Sequence, residues 1–338
     1  MVKPTAADTA GHADTAGHVV AAAIWAPSVH NTQPWRFSVG GREIGLYADP
    51  QRQLRVADPE GREMMISCGA ALFTARLALR SLGYIPQTQI LPDPAQSTLV
   101  ARVTWPRRAA ATEYERRLAD QVPRRRTHRG GFGPLPLSPA LLTILQAGAQ
   151  HDGATLRIVT DAGRRAFLAA LVETAEREQR LDAARAAELA RWTIAPGSPR
   201  RDGVPPTAYP AQEPRTDPYF PSRDFAHGRG WGLPALSSGP VPRGAGVVCV
   251  LATGGDQPAD WVHAGQALQR VLLTAGLCGV AAALHSQPVE LGWLREFIRA
   301  ELGGCVQPQL LLRLGAVIQT EVSVRRSLAD VLVTDDTS

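Results

Sequence analysis

Two stretches of this chain are versions of one another, and that similarity constrains its architecture more than any other feature of the sequence. SCGAALFTARLALRSLGY, Ser67 to Tyr84, lies over HAGQALQRVLLTAGLCGV, His263 to Val280, without a gap. Gly69, Ala71, Leu72, Leu77 and Gly83 coincide with Gly265, Ala267, Leu268, Leu273 and Gly279. Both stretches are apolar at helical spacing and end at a glycine, the pattern of a C-capped core helix. A strand of similar make-up follows each, LVARV from Leu99 and LLLRL from Leu310. Any two buried helices share small aliphatic residues, but the common register and the common sequel predict a chain built as two pseudo-symmetric halves.

The length suits that plan. At 338 residues, 44% apolar and 20% charged, the chain is ordinary globular material of about two domain-equivalents. ADTAGH occurs twice in succession before Val19, small and polar enough to predict a flexible tail over 1–18. A helix is expected from about Gly17 to Trp25, stopped by Pro27. Trp35, Phe37 and Val39 then alternate with polar residues as a strand should, with Arg42 to Ala48 its hairpin partner across Gly40-Gly41. The first half should span 19–105, a connector 106–123 and the second half 124–338. That second half is expected to hold a helix at Ser138 to Ala149, a strand at Leu156 to Thr160 and one long helix from Arg164 to Trp192. Antiparallel-rich sheets flanked by helices make the fold class α+β. Between Ala195 and Pro242 lie 11 of the 27 prolines with Tyr209, Tyr219, Phe220, Phe225 and Trp231. So many aromatics predict a packed lid over 195–242 rather than a disordered linker.

Whole chemistries drop out on composition. Lys3 is the sole lysine among 36 Lys plus Arg, so a Schiff-base lysine or a P-loop lysine has no candidate. Cys68, Cys249, Cys278 and Cys305 form no C-x-x-C pair and sit at apolar stretches, which predicts buried reduced thiols. The eight histidines show no metal-ligand spacing. Val271 to Leu284 is too short for the ~20 residues of a membrane span, and Asp8 and Asp14 spoil a leader-like N-terminus. A soluble cytoplasmic protein is expected. The net charge of +5 suits an anionic ligand or a solvated arginine-rich surface. A nucleic-acid surface built on Arg107, Arg108, Arg116, Arg117 and Arg124 to Arg126 lacks interleaved aromatics, so no such partner is expected.

Three segments carry chemistry. In APSVHNTQPWRF, Ala26 to Phe37, the hydroxyl of Ser28 and the amides of Asn31 and Gln33 come from one irregular turn. They suit the edge of a planar heterocycle, or they cap the turn. His30, alone on that turn, faces either a bound ligand or solvent, and a lone turn histidine is usually exposed. In PRRRTHRGGF, Pro123 to Phe132, guanidinium forks separated by a hydroxyl suit a phosphate dianion, or form a basic surface loop. The third, VRRSL from Val324 to Leu328, means little by itself.

Together these residues resemble the FMN-dependent nitroreductase family. PSVHNTQPWRF is similar to the family's P-S-S-x-N-x-Q-P-W-x-F. Arg125, Thr127, Arg129 and Phe132 resemble its Arg-x-Ser-x-Arg/Lys element, with threonine for serine and one extra glycine. GLCGVAAALHSQP resembles its late helix and strand, and Arg325 or Arg326 its C-terminal arginine. QLRVADPEGREMMISCGAAL is similar to the Acg-type subgroup, in which one chain carries both halves. The resemblance covers Val19 to about Val333.

It implies a nitroreductase-like fold that mimics the family dimer, and FMN as cofactor. Arg125, Thr127, Arg129 and Arg325 or Arg326 would hold the phosphate and ribityl chain. Pro27, Ser28, Val29 and Asn31 would meet the ring system, and His285, Ser286 and Gln287 would approach the ring edge. At the place of the P-S turn the second half reads AQHDGATLR, Ala149 to Arg157, so one FMN per chain is expected between the halves, with no homo-oligomer required. The implied activity is hydride transfer from NAD(P)H to FMN and onward to a nitroaromatic, quinone or other small electrophile, with no catalytic side chain required. The alternative is a lid-covered protein that binds or stores FMN with little turnover.

Overall fold

A computed structural model describes residues 6–209, 215–225, 243–317 and 323–333. The first half runs α1 (Ala6–Ala23), β1 (Trp35–Gly40), β2 (Glu43–Ala48), α2 (Arg62–Ser81), β3 (Tyr84–Ile90) and β4 (Leu99–Arg108). After α3 (Glu113–Gln121), the second half runs α4 (Pro139–His151), β5 (Thr155–Val159), α5 (Ala162–Leu181), α6 (Ala183–Trp192), β6 (Val247–Thr253), α7 (Pro258–Leu277), β7 (Val280–His285), α8 (Gly292–Glu301), β8 (Gln307–Ala316) and α9 (Leu328–Val331). The sheets have orders β1-β2-β4-β3 and β5-β6-β8-β7, antiparallel throughout. The two orders are one plan used twice, with α2 and α7 in equivalent places.

Those two helices cross where the repeat matches best. A Cβ on Gly265 would stand 1.9 Å from the Ile66 carbonyl oxygen, and one on Gly69 would stand 2.2 Å from that of Val262. Only glycine permits so close a backbone approach. Ala70, Ala71 and Leu72 of α2 and Ala264, Ala267 and Leu268 of α7 are buried around the crossing, in one core shared by both sheets.

Several expectations need correction. α1 begins at Ala6 rather than near Gly17, and Ala16 is fully buried. The repeat is half alanine or threonine, and alanine favours helix strongly enough to carry it through. The long helix breaks at Asp182, extended at φ −83°, ψ 108°, whose carboxylate accepts from the Ala184 and Arg185 N–H groups. Self-capping of this kind competes with helix continuation. β4 passes the expected boundary at 105, and the connector contains α3, whose Leu118 packs with Phe73, Leu77 and Leu273. Cys68 and Cys249 are buried, whereas Cys278 and Cys305 are exposed in the turns after α7 and α8.

The described part of the lid is packed, as its aromatics predicted. Val204, Ala208, Tyr209 and Phe225 form a small core with Leu189 of α6, and Phe220 is buried against the outer face of the second sheet. Trp231 and residues 226–242 lie outside the described residues. Among the described residues no helix is long and apolar enough to cross a membrane, and no cluster of side chains could hold a metal ion.

Candidate active site

The turn between α1 and β1 is the most strained segment near the seam. His30, Asn31 and Gln33 all have positive φ, at 48°, 55° and 50°. Non-glycine residues avoid that region unless their surroundings over-determine it. Here Ser28 Oγ accepts from Gln33 N at 2.9 Å. Asn31 Nδ2 donates to the Gly203 carbonyl at 3.0 Å and to that of Val324 at 3.2 Å, while Gly203 N donates back to the Asn31 carbonyl at 3.1 Å. Gln33 Nε2 donates to the Arg201 carbonyl at 2.9 Å, and its Oε1 accepts from Arg326 N at 2.8 Å. The two amides therefore staple the start of the lid and the C-terminal segment. They are not left free to read a heterocycle edge, and Ser28 caps the turn.

Behind this turn four arginines converge. Arg125, Arg126, Arg129 and Arg325, with Ser28, Asn31, Thr127 and Ser323, line a chamber of about 430 Å³ that has no acidic residue among the described residues of its lining. Arg325 donates to Asn31 Oδ1 at 3.1 Å, to the Trp25 and Ala26 carbonyls and to Ser323 Oγ. Among the described residues the Arg125 side chain reaches only Thr127 Oγ1, at 3.4 Å, and the Nε atoms of Arg125 and Arg325 are buried without partners. Burial, then repulsion from Arg126 and Arg129, pushes the Arg125 guanidinium down to about 9. Burial and the same arginines, with Arg125, hold Arg325 well below its ordinary value. A guanidinium keeps its proton at neutral pH, so these depressions express first the cost of burying the charge and then repulsion between the arginines, both of which a bound anion would offset. Arg326 lies elsewhere: its side chain turns to the Gln33 and Asp330 carbonyls. Of the two candidate C-terminal arginines, only Arg325 faces the chamber.

Pro27, Ser28, Thr127 and Arg129 form a wall common to this chamber and a larger cavity of about 890 Å³. The 27–30 turn, Glu63, Ile66 and Ser67 of α2, and the end of β7 with His285, Ser286 and Gln287 all line this cavity. The expected residues thus come together around two adjoining spaces, except Arg326; Asn31 faces the smaller one, and Val29 the larger.

Other wall residues carried little sequence signal. His30 is buried rather than exposed, its ring edge-on to Phe225 at 5.7 Å. Burial, then the charges of Arg223 and Arg129, holds its imidazole neutral. Arg313, fully buried on β8, donates from Nε to His285 Nε2 at 2.9 Å and to the Ala245 carbonyl at 3.0 Å. Its interruption of the apolar run LLLRLG was the available clue, since an arginine inside a core strand is rare without a task. The lid supplies Ser222, Arg223 and Phe225. Ser222 Oγ donates to the Arg129 carbonyl at 2.6 Å, and Arg223 donates to Glu290 Oε1 at 2.5 Å and Gln179 Oε1 at 3.0 Å.

No family model matches the chain. Rv3131 of Mycobacterium tuberculosis (strain ATCC 25618 / H37Rv), which carries an NAD(P)H nitroreductase name, is 34% identical over 304 residues, covering 90% of this chain and 85% of its own. The chain belongs to the NAD(P)H nitroreductase family. Acg of the same strain, named likewise, is 28% identical over 318 residues, covering 93% of this chain and 92% of its own. Among solved structures, a nitroreductase with bound FMN from Bacteroides fragilis NCTC 9343 shows 11% identity, covers 65% of this chain and 96% of its own, and gives a TM-score of 0.37. The NADPH:FMN oxidoreductase of Vibrio harveyi shows 12% identity, 66% and 78% coverage and a TM-score of 0.37.

In this family member the second half offers no copy of the arginine chamber at the corresponding turn. After α4, Asp152 is buried and takes Arg270 at 2.6 and 3.3 Å, with Arg76 at 3.8 Å. Acid and base there neutralise one another.

Proposed function

We propose that the chain is an FMN-dependent NAD(P)H oxidoreductase with a single flavin site between its halves. One observation carries this reading: buried guanidinium groups with unmet donors among the described residues face a chamber that shares a wall with a larger cavity between the 27–30 turn and the end of β7. A phosphate dianion satisfies that donor set through charge-assisted bonds. Arg125, Arg129 and Arg325 would hold the phosphate, with Thr127 and Ser28 beside the ribityl chain. The ring system would lie between the 27–30 turn and the end of β7, where His285, Ser286 and Gln287 stand. Bound there, FMN would take hydride from NAD(P)H and pass the electrons to a small electrophile, the protein supplying orientation and access.

A second reading has its own support. Ser222, Arg223 and Phe225 of the lid form part of the cavity wall, and the Arg223 to Glu290 pair holds them there. A cover so anchored suits a protein that stores FMN. Purified protein loaded with FMN under anaerobic conditions separates the two. Rapid bleaching by NAD(P)H supports the reductase, and bleaching by dithionite alone supports storage. A chain that leaves added FMN free in solution defeats both.

A further inference from the structure

The family resemblance calls for no acid or base, yet the cavity wall holds an unusual carboxyl group. Glu63, in the first turn of α2, is 3% exposed. Its Oε1 accepts from Arg62 Nη2 at 3.1 Å, whereas Oε2 is buried with no partner among the described residues. Arg62 cannot serve it alone, because the same guanidinium also donates to the Gln309 carbonyl at 2.8 Å and to the Val289 carbonyl at 3.2 Å. The turn itself is fixed. Asp58 accepts from the Glu63 and Met64 N–H groups at 3.1 and 2.9 Å, and Ser67 Oγ donates to the Glu63 carbonyl at 2.7 Å.

The charges around Glu63 are Arg62 and Asp58 from its own end of α2, Glu290 from beyond β7 and Arg223 from the lid. Glu290 already engages Arg223 at 2.5 Å and lies 3.8 Å from Arg185. The cations nearest Glu63 are therefore shared with other acceptors. Burial first, then Glu290, raises the Glu63 carboxyl well above the ordinary range. The nearby imidazoles are poor rivals as acids. His30 and His285 are held neutral by burial, and a neutral imidazole N–H is a far weaker acid than a carboxyl group.

We propose that Glu63 is the proton donor that completes reduction of the electron acceptor in this cavity. The inference rests on the oxidoreductase reading above. A quinone becomes a hydroquinone by gaining two electrons and two protons. Hydride, supplied ultimately by the nicotinamide donor, brings both electrons and one proton. The other proton leaves the Glu63 carboxyl group: its O–H bond breaks and one forms on the acceptor oxygen. The carboxylate left behind lies beside Arg62 and Arg223 and regains its proton from water after the product departs.

Glu63→Gln and Glu63→Asp test this without a large change of shape. Both variants should still bind FMN, read by flavin fluorescence. The wild-type infrared spectrum at neutral pH should contain a protonated-carboxyl band that Glu63→Gln lacks and Glu63→Asp keeps. After anaerobic reduction with dithionite, reoxidation by benzoquinone should slow by about a hundredfold in Glu63→Gln and lose its fall at high pH, with Glu63→Asp partly restored. Wild-type reoxidation rates in Glu63→Gln, or an unchanged band, overturn the proposal. Wild-type protein that binds no FMN overturns the parent reading first, and the proposal falls with it.

Discussion

Asn31 Oδ1 accepts a hydrogen bond from the Arg325 guanidinium at 3.1 Å across 294 positions of sequence. Through the same amide, Nδ2 holds the carbonyl groups of Gly203 and Val324, so one side chain ties the first half, the lid and the C-terminal segment together. Asn31→Ala should therefore weaken FMN binding although it removes no positive charge. Losing one charge-assisted bond to the buried arginine predicts a loss of about 1.5–3 kcal/mol, read as a flavin dissociation constant. Asn31→Asp keeps a bond to Arg325 but adds a carboxylate to the chamber wall, where it neutralises the arginine and repels the phosphate, so FMN should bind more weakly still. Unchanged binding in Asn31→Ala would separate the amide from the anion chamber.

Arg125 sits in that chamber at 8% exposure with one weak hydrogen bond. Arg125→Met should move two observables in opposite directions. FMN affinity falls by about one to two decades, the worth of a charge-assisted contact. The flavin-free protein melts at higher temperature, because a buried cation without a counter-ion is replaced by an apolar chain of similar length. Thermal melts with and without FMN check both, and equal destabilisation of the two forms would refute the site.

The α2 to α7 crossing makes a prediction about folding. Gly265→Ala places a methyl group 1.9 Å from a backbone oxygen, which no rotamer change relieves. The helices must separate, at a cost of about 3 kcal/mol or more. Gly17→Ala in α1, where nothing lies within 4 Å of the new methyl, should instead gain about 0.5–1 kcal/mol. Denaturant midpoints for the two variants give the comparison.

That crossing also shows how far the sequence could be read. The repeat around Gly69 and Gly265 exposed the doubled plan because backbone contact leaves one residue type usable at each position. Arg125 and Ser28 stood out because arginine-rich loops and turn formation draw on few side chains at short spacing, and the structure sets both on one chamber wall. The break at Asp182 was not, since helical periodicity continues through it and only a local capping choice interrupts it. Nor was Glu63, because an acidic residue in a first helical turn is ordinary and becomes notable only when the cavity behind it is seen. The fate of the Asn31 and Gln33 amides depended on which distant backbone arrives beside them, and local spacing carries no record of that.

His128 links stability to pH. Its backbone N donates to the Ala282 carbonyl and its Nε2 bonds the Gly131 carbonyl at 2.9 Å. Burial, then Arg313 and Arg129, pushes the imidazole down to about 4 from 6.5. Between those values the unfolded chain holds a proton that the folded chain refuses, so stability falls as pH drops through that window. The contribution is at most about 3 kcal/mol. His128→Gln, able to keep the bond to Gly131, should shrink the loss of melting temperature between pH 6.5 and pH 4. An identical pH slope in variant and wild type would place the acid sensitivity on other groups.

Arg223 decides whether the lid is a door or a wall. Its guanidinium meets Glu290, whose side chain is 0% exposed, together with Gln179 and Ser286. Once Arg223 is gone, Glu290 keeps Gln179 Nε2 at 2.8 Å and, as its remaining cation, Arg185 at 3.8 Å, and removing one partner of a buried ion pair costs about 3–5 kcal/mol. The lid can escape that cost by detaching, because Phe225 rests on a core of only a few side chains. Arg223→Ala should therefore raise amide exchange across 220–225 while leaving β6 and β8 protected. If access limits turnover, the same variant bleaches faster with NAD(P)H than the wild type does. Faster exchange without faster bleaching would mean that the lid does not gate hydride transfer, and unchanged exchange would show that Phe220 and Phe225 hold the lid without the ion pair.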